Sequence, residues 1–442
     1  MTEFAKRKGA VRAVTVEQAH TSAGRSAKSH VVMDSSQSLP VTEVVEAQGH
    51  LVDSHIMERI FDTVVEYGGR FEVERFSIGR TNSEPSQLRL RVEAPDAAHM
   101  SKMLGQLLGL GCSPIDAGDV ETKPAPLNCA APEDFYSTTN QRTLVRHRGI
   151  WLEARDQRMD AMVVIRDGEA FCRRLRDLLA GDHVVVGTRG IRVIPEAKER
   201  DRLAFTFMSN DISSERQVET AVAQTATLIR HSREEGKRVI AVAGPVVIHT
   251  GGGQPLSRLI RSGWISALLA GNALAVHDIE AALFGTSLGV RQSDGRQDEH
   301  GHRNHMRAIN VINHAGSIPA AVASGRLTSG VMYECVKAGV PFVLAGSLRD
   351  DGPLPDCITD MNLAQDAYAV ELRNAGVVLC LSSMLHSIAV GNMLPAWVRV
   401  VCVDINPAVP TKVSDRGTGH AVGVVTDVGL FLELLARKLD GE

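Results

Sequence analysis

Residues 331–360 read VMYECVKAGVPFVLAGSLRDDGPLPDCITD, and they decide the fold. VMYECVKAG has helical spacing and ends in glycine. PFVLAGS is a short apolar strand. The turn after it carries Arg349, Asp350, Asp351, Asp356 and Asp360. A helix, a buried strand and a polar turn is the unit of an open α/β sheet. Such sheets bind ligands in the crevice outside the carboxyl ends of their strands. The question is which ligand this turn faces.

The same unit recurs on both sides. QVETAVAQTATLIRHSREEGKR reads as a helix, followed by the strand VIAVAGPVVIHT. PLSRLIRSGWISALLAG reads as a helix, followed by NALAVHD. NLAQDAYAVELRNAG reads as a helix before the apolar runs VVLCLSS, RVVCVDI and AVGVVTDV. Continuous apolar strands between helices predict a parallel sheet covered on both faces, a doubly wound Rossmann-like domain over 201–442. Upstream, residues 43–122 alternate as β-α-β-β-α-β, a ferredoxin-like α+β domain. A Pro/Ala-rich boundary, TKPAPLNCAAPED, leads into recurrent short strands over 130–198, a small β-rich domain. The polar residues 1–42 lack an apolar h-region and read as a disordered extension.

The bulk numbers agree with a soluble, multidomain α/β chain. The 442 residues suggest roughly three domains. Net charge is -4 and aromatic content is 4%, which argues against nucleic-acid partners. No apolar run approaches about 20 residues, so no membrane span is expected. Seven cysteines without Cys-x-x-Cys spacing read as buried free thiols in a reducing, cytoplasmic setting, with Cys335 and Cys357 flanking the acidic turn.

Strand after strand ends in polar or small residues. VVIHTGGG offers His249, Thr250 and Gly251 to Gly253. AGNALAVHDIE offers Asn272, His277, Asp278 and Glu280. LSSMLHS offers Ser382, Ser383 and His386, CVDIN offers Asp404 and Asn406, and VVTDVG offers Asp427. TGGG after a strand would let backbone amides approach a phosphate. An acid at a strand end, such as Asp404, can take ribose hydroxyls. These clusters favour a nucleotide-like ligand, although neither G-x-G-x-x-G nor a Walker loop is present. Asp278 is suited equally to capping a helix or handling protons. The segment holding His300, His302 and His305 is Gly/Asp/Gln-rich. It reads as a loop bringing His305 or Arg307 over a substrate rather than as a metal site, and no metal is expected.

GHLVDSHIMERIFDTVVEYGG resembles the region shared with bifunctional lysine-ketoglutarate reductase/saccharopine dehydrogenase. FYSTTN, AGNALAVHDIE, FGTSLGV, RDDGPLPD, MLHSIAVGNMLP, CVDINPAV and TDVGLF resemble the archaeal-type ornithine cyclodeaminase family, a module also found in cyanobacterial bifunctional enzymes. The resemblance runs from about residue 43 to the C-terminus. It implies a nucleotide domain similar to deoxyhypusine synthase, bound NAD, and conversion of L-ornithine to L-proline and ammonia by internal hydride cycling. Carried over by motif, the NAD contacts fall on Asn272, Ala273, Asp351, Ser383, Met384, Leu385, His386, Asp404, Asp427 and Val428.

With that chemistry, Asp278, Asp350, Asp351 and His305 become candidate catalytic groups, because the substrate ammonium groups must lose protons to react. Arg307 and Arg349 become candidates for the substrate carboxylate, and Asp356 for its amine. Each acid could instead serve as a turn-ordering cap. Partners are expected to be an amino acid and further copies of this chain, a tetramer by analogy. Lysine, diaminobutyrate or a substituted amino acid could replace ornithine as substrate, because one methylene gives only about 1–3 kcal/mol of discrimination. The same residues would also suit a non-catalytic NAD-binding amino-acid sensor, or an enzyme of aminoalkyl transfer.

Overall fold

The computed structural model describes residues 41–49, 51–52, 56–79, 84, 86–115, 118–195, 214–288, 290–291, 303–350, 352–415 and 421–441. Most of the expected N-terminal extension, together with His300, His302 and Asp351, lies outside the described residues.

The first sheet is built by β1 (Val41–Gly49), β2 (Arg70–Ser77), β3 (Ser86–Ala94) and β4 (Cys112–Pro114), with α1 (Ile56–Glu66) and α2 (Ala97–Gly109) between them. Its order is β2-β3-β1-β4 with antiparallel pairing, the ferredoxin-like arrangement. β3 alternates strictly. Leu88, Leu90 and Val92 turn inward onto Ile60 and Val64 of α1 and Met103 and Leu107 of α2. Asp96 starts α2 by accepting from the His99 amide at 2.8 Å.

The second sheet contains β5 (Glu121–Pro124), β6 (Arg142–His147), β7 (Ile150–Arg155), β8 (Met162–Arg166), β9 (Glu169–Arg173), β10 (His183–Val186) and β11 (Ile191–Ile194). They lie in the order β11-β6-β7-β9-β8-β10-β5. Two-residue turns with positive φ at both positions, Arg148-Gly149 and Asp167-Gly168, close the β6–β7 and β8–β9 hairpins. β5 comes from the Pro/Ala-rich stretch read as a boundary. Pro124 is tolerated there because β5 is an edge strand, paired only with β10.

The third unit begins with α3 (Ser214–Glu234), β12 (Arg238–Ala243), α4 (Val246–His249), α5 (Gly253–Arg261), β13 (Ala267–Gly271) and α6 (Asn272–Phe284). The short pair β14 (Thr286–Ser287) and β15 (Val290–Arg291) follows. Then come α7 (Asn304–Ala315), α8 (Ile318–Ala323), α9 (Val331–Ala338), β16 (Phe342–Ala345), β17 (Cys357–Ile358) and α10 (Met361–Glu371). The unit closes with β18 (Ala375–Leu381), α11 (Met384–Met393), β19 (Arg399–Asp404), α12 (Ala408–Asp415), β20 (Ala421–Val425) and α13 (Val428–Asp440). Its sheet is parallel, in the order β17-β16-β13-β12-β18-β19-β20. Helices cover both faces. Ala241, Leu268 and Leu379 belong to one core, and Ile240, Leu269 and Val378 to the other. This is the Rossmann-like domain expected from the continuous apolar strands.

Two local expectations change. VVIHT does not continue the strand: Gly244 and Pro245 end β12, and Val246–His249 forms α4. NALAVHD is not a strand, because ALLAG occupies β13 and Asn272 opens α6. TGGG therefore does not follow a strand. A Cβ on Gly252 would meet the Val247 carbonyl at 2.9 Å and the Gly429 Cα at 3.3 Å, so this glycine permits close packing against α13. Its phosphate reading has no strand-end setting here.

The middle and C-terminal units are joined by short polar contacts. Arg174 and Arg176 both donate to Asp366 on α10, at 2.5 and 2.8 Å. The Ala396 amide donates to the Asn140 carbonyl at 2.9 Å. Among the described residues, no helix is long and apolar enough to cross a membrane.

Candidate functional site

Strand order locates the site. From β12 the chain builds outward through β13, β16 and β17. It then returns to the other side of β12 and builds β18, β19 and β20. The reversal lies between β12 and β18, and a crevice opens at the carboxyl ends of strands flanking such a point. Both strands are specialised there. A Cβ on Gly244, after β12, would collide with the carbonyl oxygen of Ser382, after β18. Ser382 has φ 47°, in the left-handed region that a non-glycine residue occupies only under local constraint.

The neighbouring strand ends bring further motif residues to this edge. Gly271 and Asn272 end β13 and open α6. A Cβ on Gly271 would sit 3.0 Å from Cε1 of His386, so glycine leaves room for that ring. His386 Nδ1 lies 2.8 Å from Ser383 Oγ, and burial lowers the pKa of its imidazole. Ser383 is the N-cap of α11 but gives no side-chain hydrogen bond to the helix amides. Those amides remain suited to an anion. Asp404, at the end of β19, takes the Asn406 amide at 2.8 Å. Asp427, after β20, caps α13 through the Leu430 amide at 2.8 Å. Val428 is buried behind it, whereas Met384 and Leu385 are exposed and Ala273 is half-buried.

Backbone anchoring accounts for most of the acidity after β16. Asp350 Oδ2 accepts from the Ser347 amide at 2.7 Å and closes the turn. Asp356 Oδ2 accepts from the Ile318 amide at 2.7 Å at the start of α8, and its pKa is raised by burial. Asp360 caps α10 through the Asn362 and Leu363 amides. Asn272 Oδ1 accepts from the Leu354 amide at 3.0 Å and ties this loop to the end of β13. The loop is thus held above the strand ends, with Arg349 exposed on it.

Asp278 takes the capping role. It is 3% exposed, and its two oxygens accept from the Val331 and Met332 amides at 2.8 Å each, across the start of α9. Burial raises its pKa to about 6 against the opposing pull of these two amides. Cys335 is buried, and desolvation pushes the thiol of Cys357 up to about 11, so neither is poised as a thiolate. Among the described residues no His/Cys/Asp/Glu group is arranged to hold a metal.

A second polar group lies on α4, α6, β14 and α7. His249 and His277 stack edge to face with centroids 4.8 Å apart. His249 Nδ1 is 2.6 Å from Ser287 Oγ, and His277 Nδ1 is 2.9 Å from the fully buried Glu280. In the sequence these residues stand out only as strand-end polar groups. Their assembly depends on Gly285, whose left-handed φ of 66° ends α6 and turns Thr286 back onto Glu280. Arg307 joins through Asn304 at 3.2 Å and stacks over Phe284 at 4.2 Å, while His305 is half-buried nearby on α7.

Burial, with His277 beside it, lowers the pKa of His249 to about 4, while Glu280 pulls the other way. An unfolded histidine titrates near 6.5. The stability gained by keeping His249 neutral is therefore whole above pH 6.5 and is lost as pH falls through 4. Urea unfolding at pH 7 and pH 4.5 should show a larger acid loss for the wild type than for His249→Gln. Equal losses would remove His249 from the acid response.

Comparison with known proteins agrees with this architecture. The LOR/SDH bifunctional enzyme conserved region matches residues 42–141. The first region and the Rossmann fold of the C-terminal part of arginine dihydrolase ArgZ-like proteins match 142–222 and 222–435. An ornithine cyclodeaminase of Methanocaldococcus jannaschii is 47% identical over 404 residues, covering 90% of this chain and 96% of that protein. The bifunctional arginine dihydrolase/ornithine cyclodeaminase AgrE of a Nostoc species is 46% identical over 449 residues, and this chain spans 63% of its length. The crystal structure of a ternary complex of AgrE with ornithine and NAD⁺ is 48% identical with a TM-score of 0.50, covering 91% of this chain and 58% of that one. With 47% identity along nine-tenths of its length, the chain belongs to the ornithine cyclodeaminase family represented by these archaeal and cyanobacterial proteins.

Proposed function

We propose that this protein is an NAD-dependent ornithine cyclodeaminase, a lyase that converts L-ornithine to L-proline and ammonia with its cofactor returned unchanged. The observation that carries this reading is the reversal of strand order between β12 and β18, in a chain 47% identical to an archaeal enzyme of that name.

The crevice suits a dinucleotide. Gly244 and Gly271 leave no Cβ where backbone and a ring must come close. The start of α11 lacks a side-chain cap and suits the pyrophosphate, and Asp404 at the next strand end suits ribose hydroxyls. Asn272, Ala273, Asp351, Ser383 to His386, Asp427 and Val428 would complete its contacts. Bound NAD⁺ supplies reversible acceptance of hydride from the substrate's α-carbon. The protein must orient a small diamine, exclude water and move protons. In this reading Asp350, Asp351 and Asp356 would meet a cationic amine, and Arg307 or Arg349 would take the carboxylate. His305, on α7 like Arg307, would serve as a further proton carrier. The setting proposed is cytoplasmic, in a homo-oligomer.

The test is ammonia and proline formation from L-ornithine by the purified protein, with and without NAD⁺, with lysine and arginine in parallel. Proline without net NADH is the expected result. NAD binding without product from ornithine would overturn the substrate assignment.

A further inference from the structure

The cyclodeaminase reading leaves open which group takes the substrate's proton. The acids of the loop bond backbone amides, and both oxygens of Asp278 serve α9. The histidine pair is differently made. α4 and α6 follow the adjacent parallel strands β12 and β13, so both helices that carry the rings begin at the carboxyl-end edge of the sheet where the crevice opens. His277 and Glu280 are one helical turn apart on α6. Glu280 is completely buried, and its partners include the Thr286 hydroxyl at 2.9 Å and the Leu288 amide at 3.3 Å. The Leu288 amide can only donate. Thr286 Oγ1 in turn accepts from Asn304 Nδ2 at 2.9 Å, which directs its own proton to Glu280. The Glu280 carboxylate therefore acts as an acceptor and takes the Nδ1 proton of His277, leaving a lone pair on Nε2.

The two rings are unequal. His277 is backed by a carboxylate, whereas His249 is backed by the hydroxyl of Ser287. Burial keeps His249 neutral, so it adds no like charge when its neighbour gains a proton. A carboxylate on Nδ1 both fixes the tautomer and steadies the ring that has gained a proton, the arrangement used by general bases. From Glu280 the network runs on through Thr286 and Asn304 to Arg307, the candidate for the substrate's carboxylate.

Resting on the cyclodeaminase reading, we propose that His277 is its general acid–base, with Glu280 as the positioning residue. An N–H bond of a substrate ammonium breaks, and the proton passes to Nε2 of His277. The same proton then returns to the nitrogen that departs as ammonia, leaving the ring neutral again.

The test compares wild type, His277→Gln, His277→Gly and Glu280→Gln on L-ornithine, with NAD affinity and thermal midpoint measured beside turnover. General acid–base groups contribute roughly 10²–10⁴ in rate. His277→Gln should lose about that factor in kcat, with NAD affinity and KM within about threefold of wild type. Added imidazole should restore part of the turnover of His277→Gly. Glu280→Gln should lower kcat by a smaller factor, and imidazole should not restore it. A His277→Gln variant that keeps its kcat would overturn the proposal while leaving the cyclodeaminase reading intact. So would folded, NAD-binding His277 variants that are inactive but unresponsive to imidazole. A wild type that acts on no diamino acid overturns both readings.

Discussion

Gly244→Ala should abolish NAD binding and destabilise the C-terminal domain. The added methyl points at the carbonyl oxygen of Ser382, with the Ser383 Cβ at 3.1 Å beyond it. A flexible side chain could swing aside, but this neighbour is backbone at the end of a central strand. The Gly244 amide also donates to the Leu381 carbonyl at 2.9 Å, so the two strand ends cannot part without losing that bond. Overpacking of this kind costs about 1–3 kcal/mol. Its larger effect is on the crevice, because the displaced residues are Ser382 and Ser383, the entry to α11. The informative control is Gly105→Ala, at an exposed helical position with nothing within 4 Å of the new methyl. That change should gain up to about 1 kcal/mol and leave NAD binding alone. Calorimetric titration with NAD⁺ beside thermal unfolding separates the two. Wild-type affinity in Gly244→Ala would remove the β12–β18 crevice as the cofactor site.

Asp278→Ala should be the most destabilising single truncation in the AGNALAVHDIE motif. It leaves the Val331 and Met332 amides buried without acceptors, and each such group costs about 1–3 kcal/mol. A loss of roughly 2–5 kcal/mol follows, and at about 2–4 °C per kcal/mol the fall in Tm is easily measured. Asn in its place supplies one acceptor oxygen but turns an NH₂ toward the second amide, so Asp278→Asn should recover only part of the loss. The site is tailored from both sides. Gly330 has φ 103°, and a Cβ there would lie 2.7 Å from Asp278 Oδ2. An Asp278→Ala protein with wild-type stability but no turnover would return Asp278 to the catalytic group.

The large features of the fold were legible because they rest on local pattern. β3 shows the strict alternation of a half-covered strand, and β12 and β18 show the unbroken apolar run of a sheet covered on both faces. NALAVHD misled for the same reason. α6 is buried on most of its surface at its start, so it lacks the polar stripe that marks a helix, and a short apolar run does not distinguish the two. The strand-end polar groups were legible one by one, and so was the motif resemblance. Their pairing was not. Asp278 meets α9 some 53 residues on, and His249 and Ser287 are 38 apart, distances no local spacing rule spans. Only the turn at Gly285 and the layering of α4 against α6 bring the second polar group together.

The order of strands also bears on when the crevice can come into being. β12 finds its partner β13 across the two short helices α4 and α5, but its other partner, β18, begins at residue 375. Closing so long a loop is entropically slow, and contacts of high sequence separation set the pace of folding. During synthesis, the half-sheet β12-β13-β16 can form while β12 still exposes an open edge. That edge waits until residues 375–381 have emerged. The cofactor crevice is therefore among the last features to assemble, and a nascent or truncated chain ending before residue 375 would present an unpaired central strand instead of a binding site.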